Sequence, residues 1–249
     1  MNDIVITLDT DWAPDFVISN AADILIENRV KATWFVTHNS PAIQGLFEYP
    51  DLFEIGVHPN FMPGSTQGNN YHEVMRYVMN IVPNAKAVRT HGMVYSAAIS
   101  RMFAVDFGLE VGSSIFLGEM PHIIPCEVFY GNRVLLRIPY FWSDDGEMSI
   151  KRNPSFLLSD KNFDAPGLKI LCFHPIHLFL NSGDMSSYNN LKNRYDISRC
   201  TAEEAAPFVN SGTGANSLLA EIIKKNPNPD GFKTLAEVAT AWRSVRYGE

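Results

Sequence analysis

Short apolar runs alternating with amphipathic stretches organise the first half of this chain. Residues 3–8 read as a strand, 15–28 as a helix with Phe16, Ala22, Ile24 and Leu25 on one face, and 31–36 as a second strand. A third strand over 52–57 runs into His58, and a loop rich in Pro, Gly, Ser and Asn covers 59–70. A helix follows from His72 to Val82, with Val74, Tyr77, Val78 and Ile81 on one side. Residues 86–89 predict a fourth strand, 96–107 a helix, and Gly108–Val111 a return to extended structure. Between 118 and 168 only Val134–Ile138 carries a strand pattern. The apolar run resumes at 168–173, and helices over 201–224 and 234–243 complete the pattern. Such alternation implies parallel strands covered by helices. With no internal repeat and no linker, the expectation is a single α/β domain over 1–249.

Composition narrows the class. A hydrophobic content of 46% and an aromatic content of 12% over 249 residues supply a full core, which excludes disorder as a description of the whole chain. The net charge of −7, with no basic patch, argues against a nucleic acid or an anionic membrane as partner. No apolar run reaches the roughly 18 residues of a membrane helix. The amino terminus goes straight into a strand pattern, so no signal peptide is read there. Cys126, Cys172 and Cys200 are odd in number and widely spaced, as expected of reduced thiols in a cytoplasmic enzyme.

The chemically interesting residues sit where strands end, the place where α/β barrels collect reactive groups. Asp9 and Asp11 close the run Ile4-Val5-Ile6-Thr7-Leu8-Asp9-Thr10-Asp11. Alternate positions of extended chain point the same way, so both carboxylates are expected to emerge together. Two carboxylates on one rim need a metal, an arginine or a shared proton to compensate them. A metal-dependent hydrolase would use one to hold the ion and the other to take a proton. The structural alternative is a turn, with Asp15 capping the helix that follows Pro14. His58 ends the third strand, with Asn60 two residues on; Arg89 and His91 share parity after the fourth; His174 and His177 flank Pro175 after the late strand. Imidazole suits zinc, nickel or cobalt, whereas asparagine in a loop more often serves turn chemistry than a ligand role. His38, His72 and His122 read as surface or capping residues, and Asp144-Asp145 as an acidic turn after the aromatic run Pro139-Tyr140-Phe141-Trp142. Four of the seven histidines directly follow strands, which points to a metal or acid–base site.

Taken in order, these strand ends resemble the polysaccharide deacetylase (NodB-homology, carbohydrate esterase 4) family. Leu8-Asp9-Thr10-Asp11 resembles its first motif, Lys31-Ala-Thr-Trp-Phe-Val36 its second strand, and Glu54-Ile-Gly-Val-His58 the start of its second motif. Val88-Arg89 is similar to the third motif, and Ile170-Leu-Cys-Phe-His174 to the fifth. The likeness is greatest to a divergent branch associated with bacterial O-antigen and surface-glycan synthesis, through His58-Pro-Asn-Phe61, Arg137-Ile-Pro-Tyr-Phe-Trp142 and Phe173-His-Pro-Ile-His177. The resemblance implies a distorted (β/α)7-type barrel, a divalent metal (zinc, or cobalt or nickel), and removal of an N-acetyl group from an amino sugar. It implies Asp9 as base, Asp11 and His58 as metal ligands, Arg89 as tether of the base and His174 as acid. Asp144 or Asp145 would orient that histidine, while Asn60, His177 and Trp142 would support the site or border the sugar, as would Trp12 and the 63–70 loop.

Two positions depart from the family pattern. Thr10 separates aspartates that are usually adjacent, and Met62 stands where a second metal histidine is usual. A thioether is a poor ligand for a borderline divalent ion, so the third ligand is expected to be His91, with Asn60 or His174 as alternatives. Cleavage of a non-sugar amide or cyclic amide, and a non-catalytic glycan-binding role, are the competing functional expectations.

Overall fold

The computed structural model describes residues 3–248. Among them nine strands form one sheet: β1 (Ile4–Asp9), β2 (Ala32–Val36), β3 (Phe53–Val57), β4 (Ala87–Val88), β5 (Val111–Gly112), β6 (Cys126–Tyr130), β7 (Arg133–Arg137), β8 (Trp142–Ser143) and β9 (Lys169–Phe173). Their order is β6-β7-β5-β4-β3-β2-β1-β9-β8. Every strand pairing is parallel except the β6–β7 hairpin. The helices are α1 (Asp15–Glu27), α2 (Pro41–Leu46), α3 (Tyr71–Ile81), α4 (Ala97–Val105), α5 (Asp144–Ile150), α6 (Pro175–Phe179), α7 (Ser186–Arg194), α8 (Ala202–Ala205), α9 (Ala215–Lys225) and α10 (Leu235–Tyr247). None of them is long and apolar enough to cross a membrane.

The sheet curls into the expected barrel because one segment changes partner along its length. Ile138 donates its backbone N–H to Gly112 O at the end of β5, and Tyr140 to Ile115 O beyond it. Phe141 then donates to Ile170 O in β9, where β8 also pairs. Arg133–Ser143 is therefore one interrupted strand lying between β5 and β9. Counted so, the barrel has seven strand positions, with β6 as an added antiparallel edge. The central strands β1, β2 and β9 are buried along their whole length, which explains why their sequences are nearly continuous apolar runs.

The helices differ more from expectation than the strands do. α1 buries Val17, Ile18, Ala21, Ala22 and Leu25, but its cap is Pro14 and Asp15 lies in the first turn without capping. α3 starts at Tyr71 because Asn70 accepts the backbone N–H of Glu73. The continuous helix expected over 201–224 is broken: α8 ends at Ala205, a short 3-10 turn containing Pro207 follows, and α9 begins after Gly214. Gly214 lies so close to the Asn181 carbonyl (1.9 Å from where a Cβ would sit) that no other residue fits there.

The same close packing sets the rim near the candidate site. A Cβ on Gly56 would lie 2.7 Å from Ala87 O in β4 and 2.9 Å from the Phe35 ring in β2. Gly56→Ala is expected to lower the unfolding free energy by about 1–3 kcal/mol through overpacking. Urea denaturation with an unchanged slope checks this; an unchanged midpoint would show that β3 and β4 can separate freely.

Candidate active site

The ends of β1, β3, β4 and β9 each deliver a different group to one small cavity of about 120 Å³, whose lining includes Asp9, Asp11, His58, Arg89, His91 and His174. Arg89 is its foundation. The residue is 1% exposed, and its guanidinium donates to Ser113 O (2.8 Å), Ser113 Oγ (3.0 Å), Thr7 Oγ1 (2.7 Å) and Asp9 Oδ1 (2.9 Å). Phe35 and Tyr140 stack on it at 4.6 and 4.7 Å. Burial works against the charge, but Asp9 outweighs it and holds the Arg89 pKa above the ordinary value. The other Asp9 oxygen accepts from the Cys172 thiol at 3.4 Å, and burial keeps that thiol protonated by raising its pKa well above the usual range.

Asp11 reaches the same cavity by a different route from the one expected. Strand β1 ends at Asp9, and Asp11 and Trp12 both take left-handed backbone (φ 42° and 56°), so the chain turns instead of continuing its pleat. The inserted Thr10 makes this turn possible. Its N–H donates to Phe35 O, its hydroxyl shares a hydrogen bond with Thr37 Oγ1, and that Thr37 oxygen accepts from Trp12 N. The strain of two non-glycine left-handed residues is thus held by buried threonines.

The turned Asp11 carboxylate lies 3.2 Å from His58 Nε2 and 3.0 Å from His91 Nδ1 through Oδ1, and 3.5 Å from His174 Nε2 through Oδ2. Burial tends to raise its pKa, yet hydrogen bonds to His58 and His91 and the charge of His174 hold it well below the carboxylate range. Burial opposes the charge of His91 too, but the Asp11 carboxylate raises its pKa overall. One carboxylate and two imidazoles, with ligand atoms within 4.8 Å of one another, form a candidate metal set. A tetrahedral ion with bonds of about 2.1 Å would separate its ligand atoms by about 3.4 Å, close to the spacing of Asp11 from both histidines. Two further groups, Asp9–Cys172–His174 and Asp144–Asp145–His174, meet the same distance limit. Their acids are already engaged by Arg89 and the thiol, or by His174, so the Asp11 set fits an ion better.

His174 is fixed from behind. Asp144, fully buried, accepts from the His174 backbone N–H (2.8 Å) and pairs with His174 Nδ1 (2.6 Å). Burial lowers the imidazole's pKa, but Asp144, Asp145 and Asp11 raise it well above the ordinary 6.5. Asp144 is therefore no acidic turn at the surface. Asp145 also lines the cavity, and its pKa is lowered against burial by His174 and by hydrogen bonds from Ser143 and Gly146.

The remaining expected residues lie elsewhere. Trp142 is 2% exposed, donates its indole N–H to Glu147 and packs on Phe156 and Phe173, so it belongs to the core and cannot border a sugar. Asn60 does not line the cavity; its Oδ1 accepts from Met62 N in a turn. Met62 is 46% exposed and lies over Gly92, beside His91. His177 is buried against His174 and Tyr188 and is hydrogen-bonded to Ser182, and burial lowers its pKa. Tyr140, Cys172 and Thr7 were not singled out from sequence, although Cys172 has the parity of His174 and Thr7 that of Asp9.

A family model described as WbmS-like polysaccharide deacetylase matches residues 6–192. Comparison with curated proteins gives no match. Among solved structures, the chain is similar to WbmS of Bordetella bronchiseptica, described as a candidate polysaccharide deacetylase involved in O-antigen biosynthesis. The two are 27% identical with a TM-score of 0.80 over 90% of this chain and 91% of that one. A 4-alpha-glucanotransferase from Thermococcus litoralis (11% identity, TM-score 0.54, 96% of this chain and 38% of that one) shares the fold. So does a CE4 family pseudoenzyme from Bacillus anthracis (12%, 0.52, 96% and 65%).

The Asp144–His174 pair has a titration signature. A histidine whose pKa is raised on folding contributes stability that is complete below its unfolded value and is lost as pH rises through the folded one. In metal-free protein, ring-proton NMR is expected to show His174 titrating well above 6.5, and Asp144→Asn to bring that midpoint down. The decline in unfolding free energy above pH ~6.5 should flatten with it. An unmoved midpoint would remove Asp144 as the cause.

Proposed function

Because this chain belongs to the WbmS-like polysaccharide deacetylases, we propose that it is a divalent-metal-dependent hydrolase removing the N-acetyl group from an amino sugar of a surface-glycan precursor. The observation that carries this reading is the division of labour between the two aspartates. Asp9 is held by Arg89 and the Cys172 thiol, while Asp11 faces His58 and His91. The description of the similar Bordetella protein supports O-antigen-type glycan as the substrate class. A cytoplasmic location fits the three free cysteines.

Asp11, His58 and His91 would hold the ion, zinc by donor set with cobalt or nickel as alternatives. A divalent ion there supplies Lewis acidity, polarising the acetamide carbonyl and making water a better acid. Asp9, 3.9 Å from His58 Nε2, takes the proton of the water that attacks the acetamide carbon. Arg89 fixes the direction of that carboxylate through a buried charge-assisted hydrogen bond. His174, protonated and oriented by Asp144, delivers a proton to the departing amine, so the products are acetate and the free amino sugar. Tyr140 closes the cavity beside Arg89, where burial keeps its phenol protonated.

Asp9→Asn is expected to retain a stoichiometric divalent ion and to lose turnover by about 10²–10⁴-fold, the range for a missing general base. Asp11→Asn should lose the ion as well. Elemental analysis and acetate release from a panel of N-acetylated sugars and small amides measure both. Near-normal turnover in Asp9→Asn would overturn the base, and release from small amides alone would replace the sugar by a simple amide.

A further inference from the structure

The reactive cavity, at about 120 Å³, is too small for a sugar ring with its substituents, since ligand sites generally run to about 300–1,000 Å³. A second cavity of about 370 Å³ opens beside it and shares Asp11 as a wall. Its other walls are Trp12, which follows Asp11 in the left-handed turn, and the segment from Tyr188 to Ser198. The loop cavity around Phe61 and Tyr71 shares no lining residue with the reactive cavity.

Three aromatic rings, Trp12, Tyr188 and Tyr195, face this space together with Lys192 and Asp196. Trp12 is braced by an edge contact to His91 at 5.3 Å, and Tyr188 by one to His177 at 5.1 Å, so one ring is anchored on a residue of the reactive cavity and the other on the buried histidine that packs against His174. Among the described residues no hydrogen bond uses the hydroxyl of Tyr188 or Tyr195, and the Lys192 ammonium pairs with no carboxylate but lies over the Tyr188 ring. One cation, Lys192, and two carboxylates, Asp11 and Asp196, on the walls, with aromatic faces between them, suit a neutral ring rich in hydroxyls better than a phosphorylated or carboxylated one.

We propose that the cleft between Trp12 and the Tyr188–Ser198 segment is the sugar subsite, taking a neutral N-acetylated pyranose and presenting its acetamide across Asp11 to the reactive cavity. This rests on the deacetylase reading for its orientation, and on the cleft alone for its existence. Sugar C–H groups would pack on the rings while Lys192 and Asp196 exchange hydrogen bonds with ring hydroxyls. The loss of a stacking face then weakens ground-state and transition-state binding together, raising KM and leaving kcat nearly unchanged.

The test uses N,N′-diacetylchitobiose with the metal-loaded full chain, by calorimetric binding to the Asp9→Asn protein and by acetate release from the wild type. Adding Tyr195→Ala is expected to weaken binding at least about tenfold and to raise KM by a similar factor, whereas Tyr195→Phe, which keeps the ring, stays within about threefold. Equal thermal melting of the variants separates this from misfolding. Acetate release with KM and binding untouched by Tyr195→Ala would overturn the subsite and leave the deacetylase standing. Binding that depends on Tyr195 without acetate release would keep the subsite and overturn the deacetylase. No binding of the disaccharide at all would overturn the proposed ligand chemistry.

Discussion

The buried ion pair between Arg89 and Asp9 is the constraint on which the rest of the site depends. Two charges removed from water are tolerated only when their hydrogen-bonding groups are also satisfied, and breaking such a pair typically costs about 3–5 kcal/mol. Here the guanidinium reaches Thr7 and Asp9 of β1 and Ser113 beyond β5, and is sandwiched by Phe35 of β2 and Tyr140 of the interrupted strand. One side chain from the end of β4 therefore ties the ends of most barrel strands together. The cavity has its shape because that knot cannot loosen without exposing a buried charge.

Around this knot the two aspartates acquire different environments from one short sequence. Asp9 ends a strand and is gripped from two sides by Arg89 and Cys172; Asp11 sits in a strained turn and faces imidazoles. Thr10, together with Thr37, makes the difference, because its buried hydroxyl stabilises a turn that an extended chain would not make. The position that departs from the family's usual adjacent aspartates is thus what separates the two carboxylates. The absent histidine at Met62 has a spatial counterpart in His91, which comes from the neighbouring strand end and meets the same carboxylate.

Much of the barrel was legible because fully buried parallel strands write themselves as apolar runs, as at Ile4–Leu8, Ala32–Val36 and Leu168–Phe173. The ends of β1, β3, β4 and β9 bring Asp9, His58, Arg89, His91 and His174 to one rim, as their positions just after apolar runs lead one to expect. Helices with little apolar periodicity were not legible: α7 reads Ser-Ser-Tyr-Asn-Asn-Leu-Lys-Asn-Arg and buries only Leu191. The split between α8 and α9 depends on Pro207 and on a backbone contact at Gly214, a long-range fact that local pattern does not carry. Trp142 and Asp144 exchanged their expected environments for a related reason. The strand that bears them crosses from β5 to β9, and that crossing decides which side chain enters the core and which faces His174.

The central claim is that Asp11, His58 and His91 hold a metal while Asp9 stays on Arg89. Crystals grown or soaked with cobalt or zinc, measured at the absorption edge of that metal, test it directly. The account predicts one anomalous peak about 2.0–2.2 Å from a carboxylate oxygen of Asp11 and a ring nitrogen of each of His58 and His91. A peak held instead by Asp9, Cys172 and His174, or by Asp144, Asp145 and His174, would contradict it.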